Sequence, residues 1–373
     1  MAANENFPEE IIGFDPGYGW VKVVFSSIGN NVWDQRIFPA LFDRNPPVLE
    51  KINTIPDDPY APDFHRNFVF EIDGEKVAIG NGVVDFASRI ANEDFSADRP
   101  IEMPKAWLLS TLTMIAATKG RKRFSVGWTV PVNSKKQEIE KIKKANIKGL
   151  HHVSMTDSLG NTFSTDIEIK SIYIIEQGLA ALFNEVYDVD EDGNIVYVNK
   201  DLETRLVTII DIGTNTINGM LVQNGKILKR ERWLESGAAN IVINMREILS
   251  QKGYDVAYAT IQEKFIVQGQ RKIQNYKDGK FEYIDLTNEI EGSIEETFRR
   301  KVEPIIDKFI RKSSSEMNNI HKIIYTGGGV KLFAPYLKGR LLNVQTMLPK
   351  YPQLANALGA WKTAMAKEID KMT

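Results

Sequence analysis

What most constrains this 373-residue chain is a unit that it contains twice. Near the start, EIIGFD (10–15) and WVKVVFS (20–26) are strand-like runs flanking a turn that carries Gly17 and Gly19. About two hundred residues later, RLVTIIDIGTNTINGMLV (205–222) has the same form: an apolar run, a turn at Gly213, and a second run. In register, Asp15-Pro16-Gly17 lies over Asp211-Ile212-Gly213. Both aspartates follow an apolar run and precede a strand rich in Val, Ile or Leu. Self-similarity at this separation marks two related domains, and the chain is long enough to give each its own core.

The segments between these units alternate between strand and helix patterns, which predicts a mixed α/β protein. In the first half we expect a helix over PKAWLLSTLTMIAAT and a buried strand RFSVGWTV ending at Pro131. Ser134 is the expected cap of the Lys-rich helix that follows. Strands TFSTDIEI and SIYII then lead to a helix over 178–186. The Pro- and Asp-rich stretch 42–65 reads as an irregular surface excursion. In the second half we expect a helical stretch at 238–268, short strands near 271–284 and a long helix over 287–311. Strand HKIIYT, a helix from near Lys331 and a closing helix at 352–370 complete the chain.

Four short patterns could carry chemistry. Gly17 and Gly19, at alternate positions around Tyr18, let successive N–H groups turn inward as an anion-binding nest. Lys22 stands in a strand on the face of Trp20 and Val24, where an ammonium is costly to bury unless it meets a fixed anion. A phosphate would supply one, and Asp15 could hold Mg²⁺ through water; the plainer reading is a hairpin with a snorkelling lysine. Asp211 ends a nearly continuous apolar strand and is followed by Gly213, Thr214, Asn215 and Thr216, either a second phosphate turn or an ordinary Asp-Gly turn. Glu176-Gln177-Gly178 joins a strand to a helix and is placed either to orient water or simply to suit a helix first turn. Gly327-Gly328-Gly329, also between strand and helix, permits close approach of a flat or anionic ligand, or serves as a flexible turn.

Composition removes several alternatives. With no cysteine there is no disulfide, thiolate site or cysteine nucleophile. Net charge is −2, from 47 basic and 49 acidic side chains, which does not favour direct contact with nucleic acid or an anionic membrane. MAANENFPEE lacks the form of a signal peptide, and no apolar run reaches the length of a membrane span, so a cytoplasmic protein is expected. The adjacent His151 and His152 point to opposite faces of a strand, which does not make a metal site.

In this order, DxGxGxxK, a Glu/Gln-Gly junction, DxGT and a glycine triplet resemble the phosphate-1, connect-1, phosphate-2 and adenosine motifs of the actin, hexokinase and heat-shock chaperone superfamily. LANALGAW resembles its connect-2 helix. GYGWVK, IFPAL, VAIGNG and the strand ending VPV are similar to prokaryotic ParM-like and archaeal actin-like proteins. The resemblance implies two actin-like (ribonuclease H-like) domains with a nucleotide cleft between them, each with a smaller inserted subdomain. Domain I would be 1–177 (smaller part roughly 35–100) and domain II 178–350 (smaller part roughly 238–300), with 351–373 returning to domain I.

It further implies ATP or GTP with Mg²⁺ held through water by Asp15 and Asp211. Gly17, Tyr18, Gly19 and Lys22 would grip the phosphates on one side, and Gly213, Thr214 and Asn215 on the other. Gln177 or Glu176 would orient the attacking water. Gly327, Gly328 and Gly329 would line the adenosine, and Glu263 would reach the ribose or base. The implied activity is nucleotide hydrolysis coupled to head-to-tail self-assembly, with a DNA-binding adaptor as a further partner where the task is plasmid segregation. A small-molecule kinase of the same superfamily is the alternative. Its usual base aspartate after RFSVGWTV has no counterpart, since no Asp occurs between Asp98 and Asp157.

Overall fold

A computed structural model describes residues 8–26, 33–44, 46, 68–80, 83, 101–157, 159–256, 261–267, 269–277, 280–312, 320–337 and 344–371. The first half holds β1 (Glu10–Pro16), β2 (Trp20–Ser26), β3 (Trp33–Pro39), β4 (Phe42–Arg44), β5 (Phe68–Ile72) and β6 (Glu75–Ile79). It continues with α1 (Glu102–Lys119), β7 (Arg123–Val130), α2 (Lys135–Lys144), β8 (Gly149–Asp157) and β9 (Thr162–Glu176). These strands form one sheet in the order β3-β2-β1-β7-β9-β8-β5-β6-β4, with β1, β7 and β9 parallel.

The chain then passes through α3 (Leu179–Val186), the hairpin of β10 (Tyr187–Val189) and β11 (Ile195–Tyr197), and α4 (Lys200–Thr204). It enters β12 (Val207–Ile212), β13 (Thr216–Gln223), β14 (Lys226–Leu234) and α5 (Ala239–Gln251). After a π-helical segment, Ile261–Val267, come the hairpin β15 (Lys272–Lys277) and β16 (Lys280–Asp285) and then α6 (Thr287–Thr297). A π-helical stretch, Phe298–Val302, carries α6 into α7 (Glu303–Lys312). Last are β17 (Lys322–Thr326), α8 (Val330–Leu337), β18 (Gln345–Met347) and α9 (Ala355–Ile369). The second sheet runs β14-β13-β12-β17-β18, with β12, β17 and β18 parallel. Order and direction repeat those of β3-β2-β1-β7-β9, so the doubled sequence unit is a doubled five-strand sheet.

Both central strands are buried on two faces, which is why β1 and β12 lack a polar–apolar alternation. In the first sheet Ile12, Phe14, Val21 and Val23 pack with Trp107, Leu108 and Leu112 of α1. On the other face Ile11 and Val24 pack with Leu354, Leu358 and Trp361 at α9. In the second sheet Ile210, Ile212 and Leu221 meet Phe309 and Phe333, while Val207, Ile209 and Met220 meet Leu182 and Val186 of α3. The faces carrying Asp15 and Asp211 are thus turned toward each other, with α3 and α9 between the sheets. α9 lies unusually close: a Cβ at Gly13 would stand 2.1 Å from the Ala357 carbonyl oxygen, and one at Gly359 would stand 1.7 Å from that of Ala180.

Some local expectations are corrected. Ser134 does not cap α2 with its side chain; its hydroxyl donates to the Pro131 carbonyl at 2.6 Å, closing the turn before the helix instead. The two strands expected over 162–175 are one strand, β9. The helical stretch expected at 238–268 is divided: α5 stops at Gln251, where Lys252, Gly253 and Tyr254 donate back to the helix carbonyls and close it. Beyond β4, the 42–65 excursion lies outside the described residues, apart from residue 46. His151 is held between Asp73 (Nδ1 to Oδ2, 3.1 Å) and the Ile147 carbonyl (2.8 Å), whereas His152 faces solvent beside Asp166.

Candidate functional site

The site begins with register. Pairing of β1 with β2 sets Lys22 directly opposite Asp15, and its Nζ lies 3.0 Å from Asp15 Oδ2. The anion that the partly buried Lys22 meets is therefore Asp15. The other oxygen, Oδ1, accepts from Thr129 Oγ1 of β7 at 2.6 Å and from Gln177 Nε2 at 2.8 Å. Every hydrogen bond is needed, because the carboxylate is only 1% exposed. The Gly17 N–H donates to the Asp15 carbonyl at 2.9 Å and tightens the turn after the strand.

Asp211 occupies the same place in the second sheet. Asn218 stands opposite it as Lys22 stands opposite Asp15, and Thr326 of β17 is its parallel-strand partner. Asn356, at the start of α9, donates Nδ2 to Asp211 Oδ2 at 3.1 Å, and its Oδ1 accepts the Gly178 N–H at 3.0 Å. One side chain thus binds the aspartate of the second sheet to the strand-to-helix junction of the first. Asp211 is 4% exposed; burial, and next the nearby charge of Asp15, raise its pKa from 3.8 to about 6. Its turn is held from behind by the start of α5, where Ala238 and Ala239 N–H donate to the Gly213 and Thr214 carbonyls at 3.0 and 2.7 Å.

The two glycine turns touch: a Cβ on Gly19 would stand 2.4 Å from Thr214 Oγ1. Asn215 is buried within the second turn. Gly327 has φ +95° and would place a Cβ 2.3 Å from Asp211 Oδ1, so only glycine fits there. Gly329 also packs closely on Ile212, with a Cβ there 2.8 Å from Ile212 Cγ2, while Gly328 has its nearest neighbour, Gln353 Cγ, at 3.7 Å. Within the triplet it is Gly328 that leaves room beside the turn.

The junction residues part company. Gln177 reaches Asp15, whereas Glu176, 3% exposed, accepts from Arg230 Nη1 of β14 at 2.6 Å. Arg232, two residues on, donates Nη2 to the Tyr18 hydroxyl at 2.5 Å. The backbone of Glu263 falls in the π-helical segment Ile261–Val267; its side chain lies outside the described residues. Sequence reasoning missed Thr129, Asn218, Arg230, Arg232 and Asn356. Each reaches the site by strand register or from a remote helix, and the one local signal was the alternate-residue spacing of Arg230 and Arg232 on one strand face.

Two buried carboxylates that repel one another, beside two touching glycine turns and an ammonium, are a donor set that suits a hard, hydrated dication and a phosphate chain. Among the described residues no three His, Asp or Glu side chains form a metal-ligand cluster. A bound ion would therefore rely on water and phosphate oxygens as well as the aspartates. No helix among the described residues is long and apolar enough to cross a membrane.

Two sheets of one repeated five-strand order, facing each other across paired aspartate–glycine turns, define the actin-like fold. The chain belongs to the actin-like proteins: the family described as "Actin like proteins N terminal domain" matches residues 13–179, and "Alp7A C-terminal domain" matches 206–347. Among solved structures, the actin-like protein Alp7A superposes with a TM-score of 0.70 at 16% identity, covering 97% of each chain. A ParM from Clostridium botulinum, solved as a 15-stranded filament, gives 0.69 at 19% identity, covering 96% of this chain and 99% of that one. Bacillus thuringiensis ParM with ATP gives 0.66 at 15% identity, covering 98% and 99%. At these identities the likeness shows the fold. No curated protein matches the chain by sequence.

Proposed function

We propose that this chain is a cytoplasmic, filament-forming ATPase of the actin-like family, acting on Mg-ATP or Mg-GTP between domain I (1–177) and domain II (178–350). The observation that carries this reading is the meeting of the Asp15 and Asp211 turns, with Gly19 against Thr214. It is supported by the same fold in a ParM solved with ATP and in one solved as a filament. Mg²⁺, when bound, supplies charge neutralisation along the phosphate chain. Asp15 and Asp211 hold the hydrated ion. Gly17, Tyr18, Gly19 and Lys22 grip the phosphates from domain I, and Gly213, Thr214 and Asn215 from domain II. Gly328, between the packed Gly327 and Gly329, faces the adenosine, and Glu263 reaches the ribose or base.

Gln177 is our choice for the residue that orients the attacking water. Its Nε2 is fixed by Asp15, which aims its amide oxygen as an acceptor. Glu176 is committed to Arg230 and serves to join the domains. The chain assembles head to tail with itself, and a DNA-binding adaptor would connect such a filament to a plasmid.

Calorimetric binding and steady-state turnover, with Mg²⁺ or with EDTA, test the reading on the parent, Asp15→Ala and Asp211→Ala. Metal-dependent binding in the parent and loss of affinity or turnover in both variants are expected. Unchanged affinity and turnover in both would remove the clamp. ATP consumption only in the presence of a sugar would favour the kinase reading.

A further inference from the structure

The line of register that sets Lys22 opposite Asp15 also exists in the second sheet, and there it runs one strand further. Asn218 stands opposite Asp211, and Arg232 of β14 stands opposite Asn218. Directly opposed residues on antiparallel strands share a face, so Arg232 belongs to the cleft-facing side with Asp211. In the first sheet the corresponding positions hold Lys22 and Ile37. The two halves therefore place their cations at different steps: domain I next to its aspartate, domain II one strand beyond.

Arg232 already leans on domain I. Nη2 donates to the Tyr18 hydroxyl at 2.5 Å, and the guanidinium carbon lies 5.5 Å from the Tyr18 ring centre. Its Nε is buried with no hydrogen-bond partner. The buried Oδ1 of the neighbouring Asn218 has none either, so the two are not bonded to each other. A buried guanidinium N–H left without an acceptor is costly, and the group presents its donors as a fork suited to phosphate oxygens. Charge points the same way. With Mg²⁺ on the two aspartates, Lys22 and the ion still offset only part of the negative charge of a triphosphate, so a second cationic side chain at the cleft suits it. Position then says which phosphate. Strands in a sheet lie about 4.8 Å apart, which sets the Arg232 backbone about 10 Å from that of Asp211, on the side away from Thr326 and Gly327. That is the end of the line furthest from the glycine triplet.

We propose that Arg232 is a second phosphate-binding cation of the cleft, which exchanges the Tyr18 hydroxyl for the terminal phosphate of a bound nucleoside triphosphate. The proposal rests on the nucleotide reading above. Domain II would then hold with Arg232 what domain I holds with Lys22, and a diphosphate would leave Arg232 on Tyr18.

The test is calorimetric affinity for Mg-ATP and Mg-ADP in the full chain, for the parent, Arg232→Gln, Arg232→Lys and Tyr18→Phe. Arg232→Gln should lose roughly 10- to 100-fold in Mg-ATP affinity, the scale of a charge-assisted hydrogen bond. Its Mg-ADP affinity should change less than about threefold. Arg232→Lys should recover part of the difference, and Tyr18→Phe, which removes the contact that only the triphosphate breaks, should favour Mg-ATP over Mg-ADP relative to the parent. If the parent binds neither nucleotide, the nucleotide reading falls and this proposal with it. If the parent binds and Arg232→Gln keeps the parent's ATP-to-ADP ratio, Arg232 is only a brace on Tyr18 and this proposal alone fails. An Arg232→Gln chain too unstable to assay leaves Arg232→Lys to decide: an unaltered ratio there, with its point charge in place of the fork, also overturns the proposal.

Discussion

Burial and the neighbouring Asp15 carboxylate raise the pKa of Asp211 from 3.8 to about 6, so the folded protein holds this proton more tightly than the unfolded chain does. Between about pH 4 and 6 the native state binds more protons, and stability from this group falls as pH rises through that window. At about 1.4 kcal/mol per unit, the loss approaches 3 kcal/mol in the ligand-free protein. Asp211→Asn removes both the titration and the repulsion. Urea unfolding should find the variant more stable than the parent by roughly 2 kcal/mol at pH 7, with the difference vanishing near pH 4. A difference that does not change with pH would show that Asp211 is not the strained group. The same variant should lose Mg-nucleotide affinity, since charge that is costly without the ion is what holds it. Gln177 and Glu176 separate in another way. Gln177→Ala should keep Mg-ATP affinity while slowing hydrolysis by roughly 100-fold, the scale of losing a group that positions a reacting water. Single-turnover hydrolysis at the parent rate, with slowing in Glu176→Ala instead, would reverse the assignment.

At the scale of elements, α9 shows how tightly the halves are joined. A Cβ at Gly359 would overlap the Ala180 carbonyl of α3, a backbone atom that cannot swing aside. Gly359→Ala should therefore destabilise the protein by about 3 kcal/mol or more, even though alanine is the better helix former. Gly292, inside α6, meets nothing within 4 Å. Gly292→Ala should add about 0.5–1 kcal/mol. Denaturant midpoints for the two variants check both signs, and equal effects would mean that the close approach of α9 is misplaced. These contacts also mark where the sequence was legible. β1 and β12 were readable because each is a nearly continuous apolar run followed by Asp and, two residues on, Gly, and the twofold architecture followed from their likeness. Nothing in VKVVFS or VTIIDI, however, states which strand lies alongside. The contribution of Thr129 depends on β7 lying parallel to β1, and that of Asn356 on a helix that returns from the far end of the chain. Arg230 and Arg232 stand in a charged run, KRERW, which along the chain looks like any solvated strand. Local pattern encodes which face a residue takes. Which neighbour that face meets is decided by topology.

For the whole molecule, the distribution of these links determines how it can move. The α3–α9 crossing and the Asn356 bridge are backbone-close and sit deep between the sheets. The Arg230–Glu176 and Arg232–Tyr18 contacts are made by long side chains reaching from β14, and they can re-form after a rotation. The deep crossing is thus suited to be a pivot and the arginine contacts to be a clasp. Ligand bound between the Asp15 and Asp211 turns would favour the arrangement in which both turns contact it, and hydrolysis would remove that preference. A chain of one type builds an open polymer only through two different surfaces that meet head to tail, so a change in domain angle alters how well those surfaces match. We therefore expect Mg-ATP or Mg-GTP to raise light scattering above a critical concentration, with filaments visible by electron microscopy. Asp15→Ala, which cannot hold the ion, should stay unassembled under the same conditions. The concentration series should extend to the order of tens of micromolar, where weak protein interfaces are populated. Protein that binds Mg-nucleotide yet remains monomeric throughout that range would separate the cleft from assembly and leave hydrolysis without a filament to drive.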